Sequence, residues 1–285
     1  MPAHEPDAFD HSVLAGKLLA SMLDAGQALL RHRAAGVAVE HKADRSPVTA
    51  ADREAEAIVL AGLARAAPDI PVIAEEQVSA GQIPAFQDRA FLVDALDGTK
   101  EFIAGGEDFT VNVALVEHGA PVFGLLLAPA TGRLFATLGR GRAGEARIPP
   151  AAIGSLGGKA ASGLAFTAIA TSDPDVHGLR VLTSRSHLSP ETESYLARFE
   201  VAARRGIGSS LKLGLIAAGE ADLYVRYGPT SAWDIAAGHA VLVAAGGEVT
   251  TPDGAPLRYL QTGATSFLNP PFVAWGRPSL IARKG

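Results

Sequence analysis

The run Phe91–Phe102, FLVDALDGTKEF, constrains the fold of this chain more than any other stretch. Phe91, Leu92 and Val93 form an apolar run that predicts a buried strand ending at Asp94. Asp94 and Asp97 stand three residues apart across a short turn, so both carboxylates can face one point. Gly98 and Thr99 then open a helix, whose first backbone N–H groups lack intrahelical partners and suit an anion. Two acids beside an anion-binding turn repel what the turn attracts unless cations lie between them. Alone, the pattern describes an ordinary turn better than a site, because Asp and Gly follow strands routinely and Thr caps helices.

Composition narrows the classes. The chain's 285 residues suffice for one large or two ordinary domains, and a 48% hydrophobic, 19% charged composition argues for a globular fold. A net charge of −5 with scattered Lys and Arg argues against a general nucleic-acid binder. The absence of cysteine excludes disulfides, thiolate metal sites and cysteine nucleophiles. The first residues, MPAHEPDAFDH, are acidic and polar, unlike a secretory signal. No apolar run approaches the roughly 20 residues of a spanning helix. A soluble cytoplasmic protein is expected, with no integral membrane segment.

Along the chain, residues 12–33 carry leucines at helical spacing, and 36–46 is a polar loop or short hairpin. Thr49 and Asp52 fit a helix start, followed by an Ala-rich helix to about Ala67. Val72–Ala74 is a short strand ending on Glu75-Glu76, so two strands in this half end in carboxylates. Phe109–Glu117, Pro121–Ala128 and Arg133–Leu138 alternate as a β-meander. Residues 139–178, rich in Gly, Ala and Pro, are expected to be an irregular insertion and connection. Beyond them, GIGSSLK before a helix fits neither a dinucleotide fingerprint nor a P-loop. Asp234 sits in the first turn of an apolar helix that stops at Gly246-Gly247.

Glu75, Asp94, Asp97 and Asp234 thus lie at strand ends or helix starts, with Asp52 similarly placed. If they converge, repulsion and desolvation raise their pKa values, and a hard divalent cation relieves the strain. Mg²⁺ suits an all-oxygen set. Two such ions about 4 Å apart clamp the attacking and leaving oxygens of a phosphoryl displacement. Asp52 with Thr99 can position a water, and the Gly98 and Thr99 amides can serve as the anion hole. There is no G-x-S-x-G elbow and no H-E-x-x-H helix, and His239 on an apolar helix reads as a core histidine. A paired-carboxylate glycosidase would leave the Asp-Gly-Thr turn without a role.

These residues, with HKADRSPVTAAD, FTVNVALVEHG, TSRSH, GSSLK, RYGPTSAWDIAAGHAV and SFLNP, resemble the inositol-monophosphatase superfamily of Mg²⁺-dependent, lithium-sensitive phosphatases. Lys100-Glu101-Phe102, GSSLK and GPTSAWD bring the chain nearest to its CysQ-type 3′(2′),5′-bisphosphate nucleotidases. The resemblance implies a layered α/β/α/β/α sandwich. An N-terminal α+β domain (1–145) would carry most metal ligands. A C-terminal α/β domain (180–285) would supply Asp234 and substrate contacts, with 146–179 connecting them. Glu75, Asp94, Asp97, Asp234 and the Leu96 carbonyl would bind metal, two or more Mg²⁺ ions. Asp52 and Thr99 would activate the attacking water, with Glu75 also catalytic. Gly98 and Thr99 would hold the scissile phosphate. Ser184, His187, Ser209 and Lys212 would contact the adenosine and the retained phosphate, with Asp234 also touching substrate.

The implied reaction is hydrolysis of the 3′-phosphate of adenosine 3′,5′-bisphosphate, which would clear a by-product of sulfate assimilation. An inositol phosphate or another small phosphomonoester is the alternative substrate, and a non-catalytic metal-dependent binding protein is the alternative of another class. The resemblance allows a homodimer and leaves peripheral association with the inner membrane open. Glu76 has no assigned role. Ala95 stands where the family usually has proline, so the loop loses a φ constraint and weaker metal binding is expected.

Overall fold

The computed structural model describes residues 10–36, 39–41, 47–155, 163–175, 177–185, 188–260 and 266–277, with 39–41 and Pro47 described by backbone alone. Three buried apolar clusters organise them into five layers.

The outer layer is a helix pair. Helix α1 (His11–Ala35) starts on Asp10, whose carboxylate accepts from the Ser12 and Val13 amides. Helix α2 (Ala50–Ala66) starts on Thr49 in a reciprocal capping box with Asp52. Leu14, Leu18, Met22 and Leu29 of α1 and Ala55, Val59 and Leu63 of α2 pack on the first sheet. By length and composition α1 is a candidate membrane span, contrary to the sequence expectation, yet 61% of its apolar window is buried inside this core. Before α2, β1 (Val39–His41) pairs antiparallel with β2 (Pro47–Thr49), so the short-hairpin alternative holds at these strands and the intervening 42–46 lie outside the described residues.

The first sheet has seven strands in sequential order: β3 (Val72–Ala74), β4 (Arg89–Asp97), β5 (Thr110–Glu117), β6 (Ala120–Ala128), β7 (Arg133–Gly139), β8 (Arg142–Arg147) and β9 (Thr167–Ile169). β3 and β4 are parallel and the rest antiparallel. The meander is therefore as expected. The irregular reading of 139–178 is corrected, because β8 and β9 extend the same sheet. Ala143, Gly144, Ala146 and Ala168 carry little of the β-branched, alternating signal by which strands are recognised. Their pairing comes from the neighbouring strand.

Alternate residues of this sheet serve different cores. Phe91, Val93, Val113 and Leu125 face the outer helices, while Leu92, Ala114 and Leu126 face inward. The inner layer consists of α6 (Leu211–Ala217) and α7 (Ala232–Ala244). Close approach is achieved at Gly124 of β6, where a Cβ would lie 2.2 Å from the Ala237 carbonyl oxygen of α7. The second sheet has the order β11 (Val201–Ile207), β10 (Leu179–Ser184), β12 (Leu223–Arg226), β14 (Phe272–Trp275), β13 (Glu248–Thr250). Leu182, Tyr224 and Phe272 join it to the inner helices, and Val181, Val225 and Trp275 cover its far face with Leu196 of α5 (Pro190–Leu196). The result is the α/β/α/β/α sandwich.

β10 runs parallel to both β11 and β12. The carboxyl ends of β3, β4, β10, β11 and β12 thus carry or lead into Glu75, Asp97, Ser184, Gly208 and Arg226, all of which line one cleft. Clefts at the carboxyl ends of parallel strands are where α/β folds place their ligands.

Candidate active site

Asp94 and Asp97 face the same way for a reason the sequence hid. Residues three apart on a regular strand point to opposite faces. Here Asp94 pairs with Asn112 and Asp97 with Thr110, so the interval on β4 is one residue longer than on β5. That is a β-bulge, and it returns Asp97 to the inner face that Asp94 already occupies. The expected turn after Asp94 is therefore corrected to a bulged continuation of β4. Ala95 and Leu96 turn into the outer core, while the Leu96 amide donates to Asp94 Oδ1 at 2.9 Å.

Gly98 then takes φ +91°, and short helix α4 (Thr99–Ile103) begins. A Cβ at Gly98 would sit 2.9 Å from the Asp108 carbonyl oxygen, so glycine is required by both conformation and space. The single Thr99 hydroxyl proton is shared between the Leu96 carbonyl, with Oγ1 at 3.2 Å, and Asp52 Oδ1, at 3.3 Å. The other oxygen of Asp52 accepts from the Thr49 amide at 2.7 Å and its hydroxyl at 2.6 Å. One carboxylate thus both caps α2 and meets Thr99, and it lies behind Thr99 rather than on the cleft surface.

Across the cleft, α7 enters from a capping box in which the Ser231 amide donates to Asp234 Oδ2 at 2.8 Å. Glu75 is the first residue of α3 (Glu75–Ser79). Glu75, Asp94 and Asp234 each offer a carboxylate oxygen within 4.8 Å of the others. Asp97 lines the same cleft, and its Oδ2 accepts from the Ser210 amide. Burial pushes Asp94 and Asp234 well above the usual carboxylate range, reinforced by the neighbouring acids. Burial also raises Asp97, to about 6, against the opposing pull of Lys212. Asp52 is raised by burial. Converging, desolvated carboxylates with hard oxygen donors fit a divalent cation such as Mg²⁺.

The far wall comes from the second sheet. Ser184, Ser209 and Lys212 line the cleft, as do Gly98 and Thr99 of the near wall. His187 lies outside the described residues. Ser209 adopts φ +48°, rare for a residue with a side chain, at the tip of the β11–α6 loop. Lys212, expected to contact phosphate, is anchored on the protein's own backbone at the cleft wall. Its Nζ donates to the carbonyls of Ile207, at 3.0 Å, and Ser209, and lies 4.9 Å over the Tyr224 ring. Burial brings it down to about 8, opposed by Asp97. Its ammonium braces the loop and places positive charge behind Asp97.

Several residues not singled out as site residues in the sequence also line the cleft: Lys100, Glu101, Ser210, Tyr224, Arg226 and Trp233. Arg226 Nε donates to the Gly228 carbonyl at 3.1 Å and its Nη2 to that of Pro229 at 2.9 Å. Its signal was available, since it ends a strand next to a Gly-Pro turn. Ser210 was also missed as a junction. Its hydroxyl meets Thr110 at 2.9 Å and Asn112 Oδ1 at 2.8 Å while its amide holds Asp97.

Comparison with known proteins places this geometry. The 3′(2′),5′-bisphosphate nucleotidase CysQ of Escherichia coli (strain K12) is 41% identical over 234 residues, covering 82% of this chain and 87% of that protein. The nucleotidase CysQ of Salmonella typhimurium is 43% identical over 231 residues, 81% of this chain and 86% of its own. The crystal structure of CysQ from Bacteroides thetaiotaomicron superposes with a TM-score of 0.71 at 32% identity, covering 93% of this chain and 98% of that one. An IMPase from Thermotoga maritima shares the fold with a TM-score of 0.69 at 24% identity, covering 90% of each chain. A sequence profile of the Inositol monophosphatase family matches residues 11–268, a span that takes in every element from α1 to the bridge at Leu268, and the chain belongs to that family.

Proposed function

We propose that this chain is a 3′(2′),5′-bisphosphate nucleotidase that removes the 3′-phosphate of adenosine 3′,5′-bisphosphate, leaving AMP and phosphate. The observation that carries this is the meeting of two unlike walls in one cleft. One wall gathers Glu75, Asp94 and Asp97 beside the Gly98–Thr99 turn, with Asp234 facing them from α7; the other offers serines, Lys212 and Arg226. The likeness to CysQ over most of the chain supports the nucleotide as substrate.

Glu75, Asp94, Asp97 and Asp234 are proposed to hold magnesium, two or more ions, with the Leu96 carbonyl as a further ligand. When bound, such ions supply positive charge to the phosphoryl oxygens and stabilise their developing negative charge. The chain's own residues do the rest. Thr99 presents its hydroxyl oxygen to the attacking water, and Asp52 Oδ1 accepts from that hydroxyl, so a proton can pass from water toward the buried carboxylate. The raised pKa of Asp52 suits a proton acceptor. The amides of Gly98 and Thr99 receive the phosphate at the start of α4. Arg226, Ser184 and Ser209 line the side where the nucleoside and its second phosphate lie. Lithium sensitivity belongs to the same reading.

The test is product identity. Adenosine 3′,5′-bisphosphate incubated with the protein and Mg²⁺ should yield 5′-AMP and one equivalent of phosphate. Release of the 5′-phosphate instead, or turnover of inositol 1-phosphate with the nucleotide untouched, would reverse the assignment.

A further inference from the structure

Glu56 is a buried acid on α2 for which the reaction has no use. It lies one helical turn beyond Asp52, on the same face, and only 4% of it is exposed. Its two oxygens grip consecutive backbone amides: Oε2 accepts from Glu76 at 2.8 Å and Oε1 from Gln77 at 3.2 Å. These amides belong to the first turn of α3, whose N-cap, Ala74, has no side chain able to satisfy them. Glu75, the residue immediately before, contributes one of the three carboxylates that converge in the cleft.

On the proposed reading of that cleft as a metal centre, we infer that Glu56 is a positioning residue: its carboxylate fixes the first turn of α3 and thereby aims Glu75 at the metal. Helix α2 then works as a rigid spacer. Asp52 holds Thr99 from one turn and Glu56 holds the Glu75 segment from the next, so the water-activating pair and the ligand keep one relative placement. Glu56 occupies a costly position for a mere cap. Burial, helped by the nearby charges of Glu76 and Glu75 and opposed by the two amides, raises it to about 7. A neutral acceptor from the loop itself would close the turn without a third acid. Supporting shells of this kind set metal affinity as strongly as many direct contacts.

The experiment is calorimetric titration of Mn²⁺ into the natural chain and into Glu56→Gln and Glu56→Ala, with melting temperatures recorded without metal. Gln keeps the volume but turns an NH₂ toward an amide that needs an acceptor. Ser189→Ala, which removes the cap accepting from the Thr192 amide on distant α5, is the stability control. Both Glu56 variants should bind Mn²⁺ roughly tenfold or more weakly, whereas Ser189→Ala melts earlier with unchanged affinity. Natural affinity in both Glu56 variants, with lowered melting temperatures, would reduce Glu56 to a cap and overturn the proposal alone. No Mn²⁺ binding by the natural chain would overturn the metal reading and this proposal with it.

Discussion

Replacing Thr99 by Val removes one hydroxyl and little else, which makes it the sharpest probe of the proposed water-activating pair. In the structure that hydroxyl makes long hydrogen bonds, 3.2 Å to the Leu96 carbonyl and 3.3 Å to Asp52 Oδ1. Each contributes at most about 1 kcal/mol to stability, so the variant should lose roughly 1–2 kcal/mol. The catalytic loss should be larger. Removing a positioned proton acceptor costs roughly 10²–10⁴ in kcat, or about 3–5 kcal/mol of barrier. Thr99→Ser restores the hydroxyl and should recover most of the rate. Asp52→Asn should fall to a similar level, and the double variant should be little worse than either, because the two groups act as one unit. Thr49→Ala separates the cap from the chemistry. It removes the hydroxyl that binds Asp52 Oδ2 and should cost about 1 kcal/mol of stability while leaving the Thr99 contact in place. Steady-state phosphate release and denaturant unfolding on the five variants and the natural chain provide the data. A Thr99→Val enzyme retaining more than about a tenth of kcat, or single effects that multiply in the double variant, would refute the pair.

Other outcomes follow from the same coordinates. Gly98→Ala forces a side chain into φ +91° and against the Asp108 carbonyl; it should cost at least about 1 kcal/mol by denaturant unfolding and depress kcat, and natural stability would contradict the required turn. His239 is buried, with Nδ1 2.9 Å from the Tyr259 hydroxyl, and burial drives it down to about 3. Its neutral form is held in the fold while the unfolded chain takes up a proton below about pH 6.5. Its contribution is therefore whole above that pH and is lost as pH falls toward about 3, by up to about 4 kcal/mol. The stability slope between pH 6.5 and 4 should flatten in His239→Gln, and an unchanged slope would assign acid sensitivity elsewhere. Ala95 sits in the bulge of β4, where neither it nor Leu96 is paired with β5; Ala95→Pro should fold and bind Mg²⁺ more tightly by titration, and unchanged affinity would remove the idea.

How much of this was legible in the sequence depended on whether the signal was local. Asp52 and Asp234 are legible because each stands at a helix start, where capping chemistry is written in a few consecutive residues, and Glu75 because it ends a short apolar strand. The sandwich came from recognising the motifs in order. The bulge was invisible, since it is a count of residues on β4 relative to β5 and exists only once the strands pair. β8 and β9 were missed for a similar reason: they are strands because β7 offers an edge to β8, and β8 in turn to β9. Lys212 was read by its charge, but burial and two loop carbonyls govern its placement. Glu56 carried no signal beyond a helical spacing from Asp52, because the amides it holds lie 20 and 21 residues away.

The most direct measurement is the initial rate of phosphate release from adenosine 3′,5′-bisphosphate and from inositol 1-phosphate, in parallel, with Mg²⁺, with EDTA and with added Li⁺. Asp94→Asn serves alongside as the control for the carboxylate cluster. The account predicts a large preference for the nucleotide, abolished by EDTA, suppressed by lithium and absent from Asp94→Asn. Phosphate release from the nucleotide that persists in EDTA, or survives in Asp94→Asn at the natural rate, would contradict a metal-dependent nucleotidase built on these carboxylates.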